Sequence, residues 1–259
     1  MIERAETSTG WVELARVVGS DEEIAQVART SYGPSGRAVR DDRALVAYLV
    51  EHRHTGPLEF AQTWWRIQAP IYVARQWLRH RTASVNEHSL RYSGPLHLEG
   101  PSSPASWDVL ADEDRLDLTE RLTDLDAAAR EHYERAIAAG AKRETARAFL
   151  LCSEPTRWMW RIDLHNLLHF LALRRAPDAQ PEIREYADAM ERMIAPYFPA
   201  AIGAWHNFCV GGLSLAADEI PILRAALRGV PLEDAIPAGF GARRERALRA
   251  KLDRIAGMG

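Results

Sequence analysis

The feature that most limits what this chain can fold into is the repeated three-to-four-residue spacing of its apolar side chains. Over residues 113–139 that spacing is carried by Leu116, Leu118, Leu122, Leu125, Ala129 and Tyr133, which is typical of a long amphipathic helix. Related patterns predict helices over 21–31, 41–52, 71–79, 142–151, 156–174 and 181–195, with Asp21 capping the first and 156–174 the most apolar. Residues 58–69 alternate between apolar and polar side chains, which predicts a strand.

These patterns favour a single α+β domain, dominated by helices, over residues 1–259. The chain has 259 residues, enough to bury a core, and it contains no internal repeat and no low-complexity linker. Residues 82–106 are rich in serine, glycine and proline and predict a long loop, a kind of segment that is often functional. Residues 216–259 contain two weaker helical patterns interrupted by Pro231 and Pro237, and we interpret them as a C-terminal helical extension.

Composition excludes several classes of protein. The net charge of −3 and the pI near 6.3 argue against a protein that binds nucleic acid through bulk positive charge. The N-terminus does not resemble a signal peptide, and no run of about 18 apolar residues predicts a membrane span. The two cysteines, Cys152 and Cys209, argue against a disulfide scaffold. We therefore expect a cytoplasmic protein without membrane or nucleic-acid partners.

The densest polar cluster lies at residues 76–93, where a predicted helix ends in Arg79-His80-Arg81. Cations at a helix C-terminus are favoured by the helix dipole alone, so this tripeptide has a purely structural explanation. The residues that follow offer donors and acceptors but no apolar stripe that could pack, among them Asn86, Glu87, Ser89 and Arg91. Such a segment suits a ligand with a phosphate, a sugar and a base.

The cluster resembles the signature of the flavin-dependent thymidylate synthases, in which Arg-His-Arg is followed after seven residues by serine. The chain resembles that family from about residue 10 to residue 215. The matching segments are Ala28-Arg29-Thr30-Ser31, the turn at His54 with Pro57 and Glu59, Ala69-Pro70-Ile71, Gln76 to Ser93, Arg147, and Asp163 to Leu171 ahead of Arg174. The last forty residues show no clear match.

The resemblance implies a fold, a reaction and an assembly. The fold is a helix-rich α+β domain with a small antiparallel sheet. The reaction makes dTMP from dUMP, with 5,10-methylenetetrahydrofolate as one-carbon donor and FAD, reduced by NADPH, as hydride source. Members of the family are homotetramers whose active sites form between subunits.

The resemblance also implies two sets of ligand-binding residues. The implied dUMP residues, contributed by different subunits, are Gln76, Arg79, Glu87, His88, Ser89, Leu90 (by its backbone), Arg91, Arg147 and Arg174. The implied FAD residues are Ser31, His54, Gly56, Arg79, His80, Arg81, Glu87, Asp163, Leu164, His165 and His169.

The cysteines bear on the mechanism, because thymidylate synthases of the other class need a cysteine nucleophile. Cys152 and Cys209 both stand beside apolar residues, and we interpret them as small core residues. A synthase without such a nucleophile must activate dUMP in another way. By the resemblance, Arg174 is the catalytic residue that polarises the uracil and favours ionisation at N3.

Several positions differ from the pattern common in the family. Position 163 is often Asn and here is Asp163, position 165 can be Arg and here is His165, and position 169 is often Asn and here is His169. Gly56 stands where Thr or Ser is usual, which removes a hydroxyl that could contact FAD. Asp178 replaces a usual His.

The predicted helix over 156–174 would place Arg157, Arg161, His165 and His169 along one face at intervals of four residues. Such a stripe could be a solvated face, a metal-binding histidine pair or a ligand-facing surface. The metal interpretation gives the main alternative function, a metal-dependent nucleotide hydrolase using His54, His165 and His169. No neighbouring carboxylate pattern completes such a site, so we expect no metal. An RNA-binding module is a second alternative that the acidic pI disfavours.

Overall fold

A computed structural model of the protein describes residues 3–31, 41–96 and 104–257. The chain divides into two compact units, Met1–Trp205 and His206–Gly259. The expectation of one domain over the whole chain stays a prediction. Within the described residues, no helix combines the length and the apolar character that a membrane crossing requires.

A five-stranded antiparallel sheet forms the centre of the first unit, as the resemblance implies. Its strands are β1 (Glu3–Thr7), β2 (Gly10–Val18), β3 (Gln62–Pro70), β4 (Ser84–Glu87) and β5 (Pro155–Asp163). Their spatial order is β1-β2-β3-β5-β4, so β5 returns from far along the chain to lie between β3 and the edge strand β4.

Helices accompany this sheet in the first unit, where the third, sixth and seventh of them contact its strands. The helices of the first unit are α1 (Asp21–Arg29), α2 (Asp42–Glu51), α3 (Ile71–Trp77), α4 (Asp112–Ala138), α5 (Arg143–Ala146), α6 (Leu164–Arg174), α7 (Pro181–Ile194) and α8 (Pro199–Trp205). The second unit contains α9 (Glu219–Ala226), α10 (Leu232–Ala235) and α11 (Ala242–Ala256). Short 3₁₀ turns at Gly56–Phe60, Ala105–Val109 and Arg147–Phe149 join several of these elements.

An aromatic cluster fills the space between the sheet and the helices. Trp77, at the end of α3, is fully buried. Its ring meets Trp158 and Trp160 of β5 edge-on, with ring centroids 5.3 and 5.5 Å apart, and it lies 4.8 Å from Phe170 of α6. Aromatic pairs in such arrangements add to the stabilisation from burial alone. The cluster therefore fixes the end of α3, and with it the start of the Arg79-His80-Arg81 segment, against β5 and α6.

The prediction of one helix over 156–174 is wrong in its first half, which forms β5. Trp158, Trp160 and Ile162 are buried and alternate with more exposed side chains such as Arg157 and Arg161, which is the period-two pattern of a strand. The expected stripe on one helix face therefore does not exist. Its two arginines lie on the strand, and its two histidines lie on α6.

Two other predictions are corrected. Residues 84–87, expected in a loop, pair with β5 as the edge strand β4, while residues 97–103 of that predicted loop lie outside the described part of the chain. The N-cap of α1 is Ser20, whose hydroxyl accepts from the Glu23 N–H at 3.3 Å. Asp21 is instead buried and accepts from the Ala200 and Ala201 N–H groups at 2.6 and 3.1 Å, so it caps α8.

Candidate functional site

The Arg79-His80-Arg81 segment opens onto a cleft of about 430 Å³, which we call the arginine cleft. It is lined by Arg79, His80, Arg81, Thr82, Ile162, Asn166, His169, Leu173 and Arg174. The segment that follows α3 supplies the first part of this lining, and α6 supplies most of the rest. The described lining contains three arginines and two histidines but no carboxylate, so the cleft is suited to an anionic ligand.

Arg174 in the lining of the arginine cleft is held by two uncharged acceptors. Its Nε–H donates to Nε2 of His80 at 3.0 Å, and a terminal N–H donates to the backbone carbonyl of Gln76 at 3.1 Å. Burial, followed by the nearby charge of Arg79, lowers the pKa of the Arg174 guanidinium. An arginine nevertheless stays protonated in proteins, so the cleft keeps its positive charge.

His80 is neutral at physiological pH. Burial lowers its pKa to about 4, and the charges of Arg174 and His169 contribute in the same direction. Its ring meets Phe170 edge-on, with centroids 4.9 Å apart. Because Nε2 accepts the bond from Arg174, the single ring proton is at Nδ1.

A second cleft, of about 650 Å³, lies at the other end of β5, and we call it the Ser89 cleft. It is lined by Ile71, Arg75, Glu87, His88, Ser89, Leu90, Glu144, Arg147, Ala148, Leu150, Leu151, Cys152, Pro155 and Thr156. Five of the implied dUMP residues are therefore together here. The hydroxyl of Thr156 donates to Glu87 Oε1 at 2.6 Å, which orients that carboxylate at the end of β4.

Arg91 and Arg147 are both tied to Glu144 beside this cleft. Arg91 Nε donates to the Glu144 carboxylate at 3.0 Å, and Arg147 Nε donates to the Glu144 backbone carbonyl at 3.2 Å. The Arg91 N–H also donates to the Ser89 hydroxyl at 3.3 Å. Glu144 was not singled out from the sequence, because it carries no motif and its role depends on contacts 53 residues apart.

The implied dUMP residues are thus divided between two places on one chain. Arg79 and Arg174 line the arginine cleft, and the Gln76 carbonyl accepts from Arg174 there. The residues from Glu87 to Leu90 line the Ser89 cleft with Arg147, and Arg91 lies beside them. Thr156 and Ile162, which line the two clefts, are six positions apart on β5. At about 3.3 Å per residue these two positions are about 20 Å apart along the strand.

The implied FAD residues are only partly brought together. Arg79, His80, Arg81 and His169 share the arginine cleft, while Glu87 does not. The nearby turn at Gly56–Phe60 packs against α6. The His54 N–H donates to the Leu49 carbonyl at 2.8 Å, which closes the end of α2. Ser31 is exposed at the end of the first described segment.

Two residues of the 163–165 segment stabilise the start of α6. Asp163 is the N-cap and accepts from the Asn166 N–H at 2.9 Å, and the Asn166 side-chain amide donates to the same carboxylate. Leu164 is fully buried, and its N–H donates to the Ala61 carbonyl at 2.9 Å. Only His165 of this trio has a partly exposed ring without such a role.

One residue that the sequence did not single out supports Gln76. The Gln76 side-chain amide donates to Gln180 Oε1, at the start of α7. Gln180 stands two residues after Asp178, which replaces the usual histidine, and nothing in its local sequence gave it a role of its own.

The interpretation of the cysteines as core residues is wrong, because Cys152 and Cys209 are both exposed. Cys152 stands in the turn before β5, where its neighbours Leu150 and Leu151 line the Ser89 cleft instead of the core. Burial therefore gives no argument against a cysteine nucleophile.

No group of three or more histidine, cysteine, aspartate or glutamate side chains in the described ranges could hold a metal ion. His54, His165 and His169 in particular do not converge. The hydrolase alternative consequently has no site among those residues.

Comparison with known proteins decides the family. A family model described as thymidylate synthase complementing protein matches residues 13–200. The chain is 40% identical to a flavin-dependent thymidylate synthase of Thermus thermophilus, over 96% of this chain and 94% of the relative. It belongs to the flavin-dependent thymidylate synthases. The enzyme of Ehrlichia ruminantium Gardel, 37% identical, matches 92% of the chain and 84% of its own length.

A solved structure supports the same assignment for the fold. The UMP/dUMP methylase PolB of Streptomyces cacaoi, bound to 5-Br dUMP, superposes with a TM-score of 0.66 at 28% identity, over 80% of this chain and 96% of PolB. Because the match to the Thermus flavin-dependent thymidylate synthase covers 96% of the chain, it extends into residues 216–259, which showed no clear match in the sequence pattern.

Proposed function

We propose that this protein makes dTMP from dUMP, taking the one-carbon unit from 5,10-methylenetetrahydrofolate. The family supports this reaction. The observation in the structure that best supports it is Arg174, a permanently charged guanidinium held by two uncharged acceptors in a cleft without carboxylates among its described residues. Such a group can stabilise negative charge on a uracil ring, because it is neither neutralised by a partner nor free to rotate.

Arg174 takes the place of a cysteine nucleophile in this mechanism. Its guanidinium stabilises the charge that develops on the uracil and favours ionisation at N3, so no covalent bond to the enzyme is needed. The exposed Cys152 lies at the Ser89 cleft, and we assign it no bond to the substrate.

The residues of the arginine cleft fit FAD. Arg79 and Arg81 present exposed guanidinium groups, and the described lining has no carboxylate that would repel the cofactor's phosphates. We propose that these arginines, with His169 and the neighbouring His54 and Gly56 turn, hold FAD. When bound and reduced by NADPH, the flavin supplies the hydride of the reaction.

The Ser89 cleft fits the phosphate and sugar of dUMP. Arg147 and the Ser89 hydroxyl offer cationic and neutral donors, Leu90 offers backbone groups, and Arg91 stands beside them. Glu87, oriented by Thr156, can accept hydrogen bonds from a sugar hydroxyl or a base N–H. His88 is held by its N–H, which donates to the Arg157 carbonyl at 2.7 Å, and by a 3.1 Å contact between its ring and the Gly94 carbonyl.

We further propose a homotetramer whose active sites combine the arginine cleft of one subunit with the Ser89 cleft of another. The separation of about 20 Å along β5 supports this arrangement, because one chain presents the two sets of dUMP residues at opposite ends of that strand. Neither Cys152 nor Cys209 forms a disulfide, which is typical of a reducing compartment, so we also propose that the enzyme acts in the cytoplasm.

The test is turnover by the purified protein supplied with FAD, NADPH, dUMP and 5,10-methylenetetrahydrofolate. Formation of dTMP, together with the visible absorption of bound flavin, is the expected result and should persist in the presence of EDTA. Absence of flavin binding after FAD is added would overturn the proposal. Phosphate release from dUMP that EDTA abolishes would instead favour the metal-dependent hydrolase.

A further inference from the structure

His80 has a contact that its membership of an Arg-His-Arg motif does not explain. It stands between two arginines in sequence, yet its ring is turned towards a third, Arg174 on α6. Its own N–H donates to the Trp77 carbonyl at 3.0 Å, and its ring packs against Phe170. The backbone bond and the aromatic contact together fix the imidazole, so its Nε2 is a rigid acceptor.

The bonds of Arg174 determine which of its donors remain available. A guanidinium has five N–H groups in a planar fork. One is directed to His80 and one to the Gln76 carbonyl, and the described residues provide no further hydrogen-bond acceptor for it. The remaining donors are those of the terminal nitrogens, on the side of the cleft. Without the His80 contact, the Arg174 guanidinium could rotate about the terminal bonds of its side chain.

The chemical nature of the acceptor also matters. A carboxylate in the position of His80 would orient Arg174 equally well, but it would form an ion pair and cancel much of the charge that an anionic uracil needs. An uncharged imidazole orients the fork and leaves its charge intact. The surroundings of His80 keep it uncharged, since protonation would set two cations against each other in a partly buried cleft.

We propose that His80 is a positioning residue for the reaction, which acts by fixing the orientation of the Arg174 guanidinium through its Nε2 acceptor. The inference rests on the proposed function. It adds to any contact that His80 makes with FAD, since the proton on Nδ1 is not used by Arg174.

Three variants test the proposal. His80→Phe keeps a ring against Phe170 but lacks the acceptor, whereas His80→Gln places an amide oxygen near the position of Nε2. We expect kcat for dTMP formation to fall by about 100-fold in H80F, the order of loss seen when a reacting group is misplaced. KM for dUMP should change by less than about threefold, because the phosphate and sugar of dUMP are held at the Ser89 cleft. H80Q should recover most of kcat, and kcat is calculated per bound flavin so that any loss of cofactor does not enter the comparison.

The third variant, Arg174→Lys, shows whether His80 acts through Arg174. Lysine has no Nε–H fork, so H80F combined with R174K should be no slower than R174K alone. A wild-type kcat in H80F would overturn the inference, and so would an H80Q variant that stays as slow as H80F. It would also be overturned if the H80F change lowered kcat by the same factor in R174K as in the wild type. If H80F does not fold, judged by circular dichroism, His80→Leu replaces it. A wild-type protein that makes no dTMP would contradict the proposed function itself.

Discussion

In the proposed mechanism Arg174 has the most demanding chemistry, because it must supply positive charge without a counter-charge beside it. Its two hydrogen-bond acceptors are a neutral imidazole and a peptide carbonyl. Ion-paired arginines elsewhere in the chain, such as Arg175 with Asp188 at 2.6 Å, have a different task, since they hold elements together. The same residue type therefore serves two functions, which the surrounding acceptors distinguish.

The first prediction concerns Arg174→Ala. We expect dTMP formation to fall by roughly 100-fold or more, the order of loss when a preorganised electrostatic group is removed. Retained flavin, measured by its visible absorption after gel filtration, should fall far less, because Arg79 and Arg81 remain in the arginine cleft. Equal losses of turnover and of flavin would show that Arg174 serves mainly to bind the cofactor.

The second prediction concerns Cys152, whose exposure at the Ser89 cleft the sequence pattern did not reveal. Cys152→Ala should keep kcat within about twofold of the wild type, as expected for a small change at an exposed position. Cys209→Ala, in the second unit, is the matched control. A folded C152A protein that forms no dTMP, while C209A does, would indicate a covalent mechanism.

At the scale of elements, the junction of β5 and α6 shows why the sequence was ambiguous. A spacing of four residues lies on one face of a helix, but it is also a multiple of two and therefore lies on one face of a strand. The spacing of Arg157 and Arg161 was therefore compatible with a helix and with a strand. The alternation of Trp158, Trp160 and Ile162 was the better signal for a strand. Asp163, a residue type that often caps helices, indicated where the strand ends and the helix begins.

The third prediction tests that boundary. Asp163→Ala removes the side chain that accepts the Asn166 N–H, so the free energy of unfolding should fall by about 1 kcal/mol, the usual value of an N-cap. Asp163→Asn, the residue common in the family, also caps helices well and should lose much less. Urea denaturation followed by circular dichroism gives both values. Equal stability of D163A and D163N would mean that the cap contributes nothing.

A second element-scale contact joins α4 to the start of β5. Arg130 of α4 lies between Asp126 and Glu154, with N–O distances of 2.9 Å to each carboxylate. Burial raises the pKa of Glu154 to about 7, Arg130 opposes that shift, and Asp126 adds to it. The folded protein therefore holds a proton on Glu154 at pH values where the unfolded chain has released it.

The fourth prediction follows from the raised pKa of Glu154. Since the folded pKa of Glu154 lies above the unfolded value, its contribution to stability is complete below about pH 4.5 and is lost as the pH rises through 7. Glu154→Gln has no such proton to lose. Relative to E154Q, the wild type should therefore lose about 2 kcal/mol of unfolding free energy between pH 5 and pH 8. A difference that stays constant over this range would contradict the raised pKa.

At the scale of the whole molecule, the sequence was informative about motifs and much less so about their arrangement. The long α4 and the helix α7 followed from apolar spacing, and the Arg79-to-Arg91 segment was recognised residue by residue. No local pattern could show that this segment runs from one cleft to the other through β4, because its partner β5 lies some seventy residues away. Pairing between such distant segments depends on packing, which a single sequence does not display.

The last prediction tests whether the two clefts meet only across subunits. Arg174→Ala damages the arginine cleft and Arg147→Ala damages the Ser89 cleft, so each variant alone should be inactive. If every active site takes one cleft from each of two subunits, random mixed oligomers carry both intact clefts at about one site in four. Co-expression of the two variants with different tags, followed by tandem purification, should therefore restore dTMP formation.

The control is the pair Arg174→Ala and Arg79→Ala, whose changes both fall in the arginine cleft. No combination of those subunits contains an intact arginine cleft, so their mixed oligomers should stay inactive. Mixed R174A and R147A oligomers that remain as inactive as this control, although light scattering shows them to be assembled, would mean that one chain brings both clefts to the same dUMP. The two clefts would then have to lie closer together in one chain than the pairing of Ser84 with Arg161 and of Glu87 with Trp158 indicates.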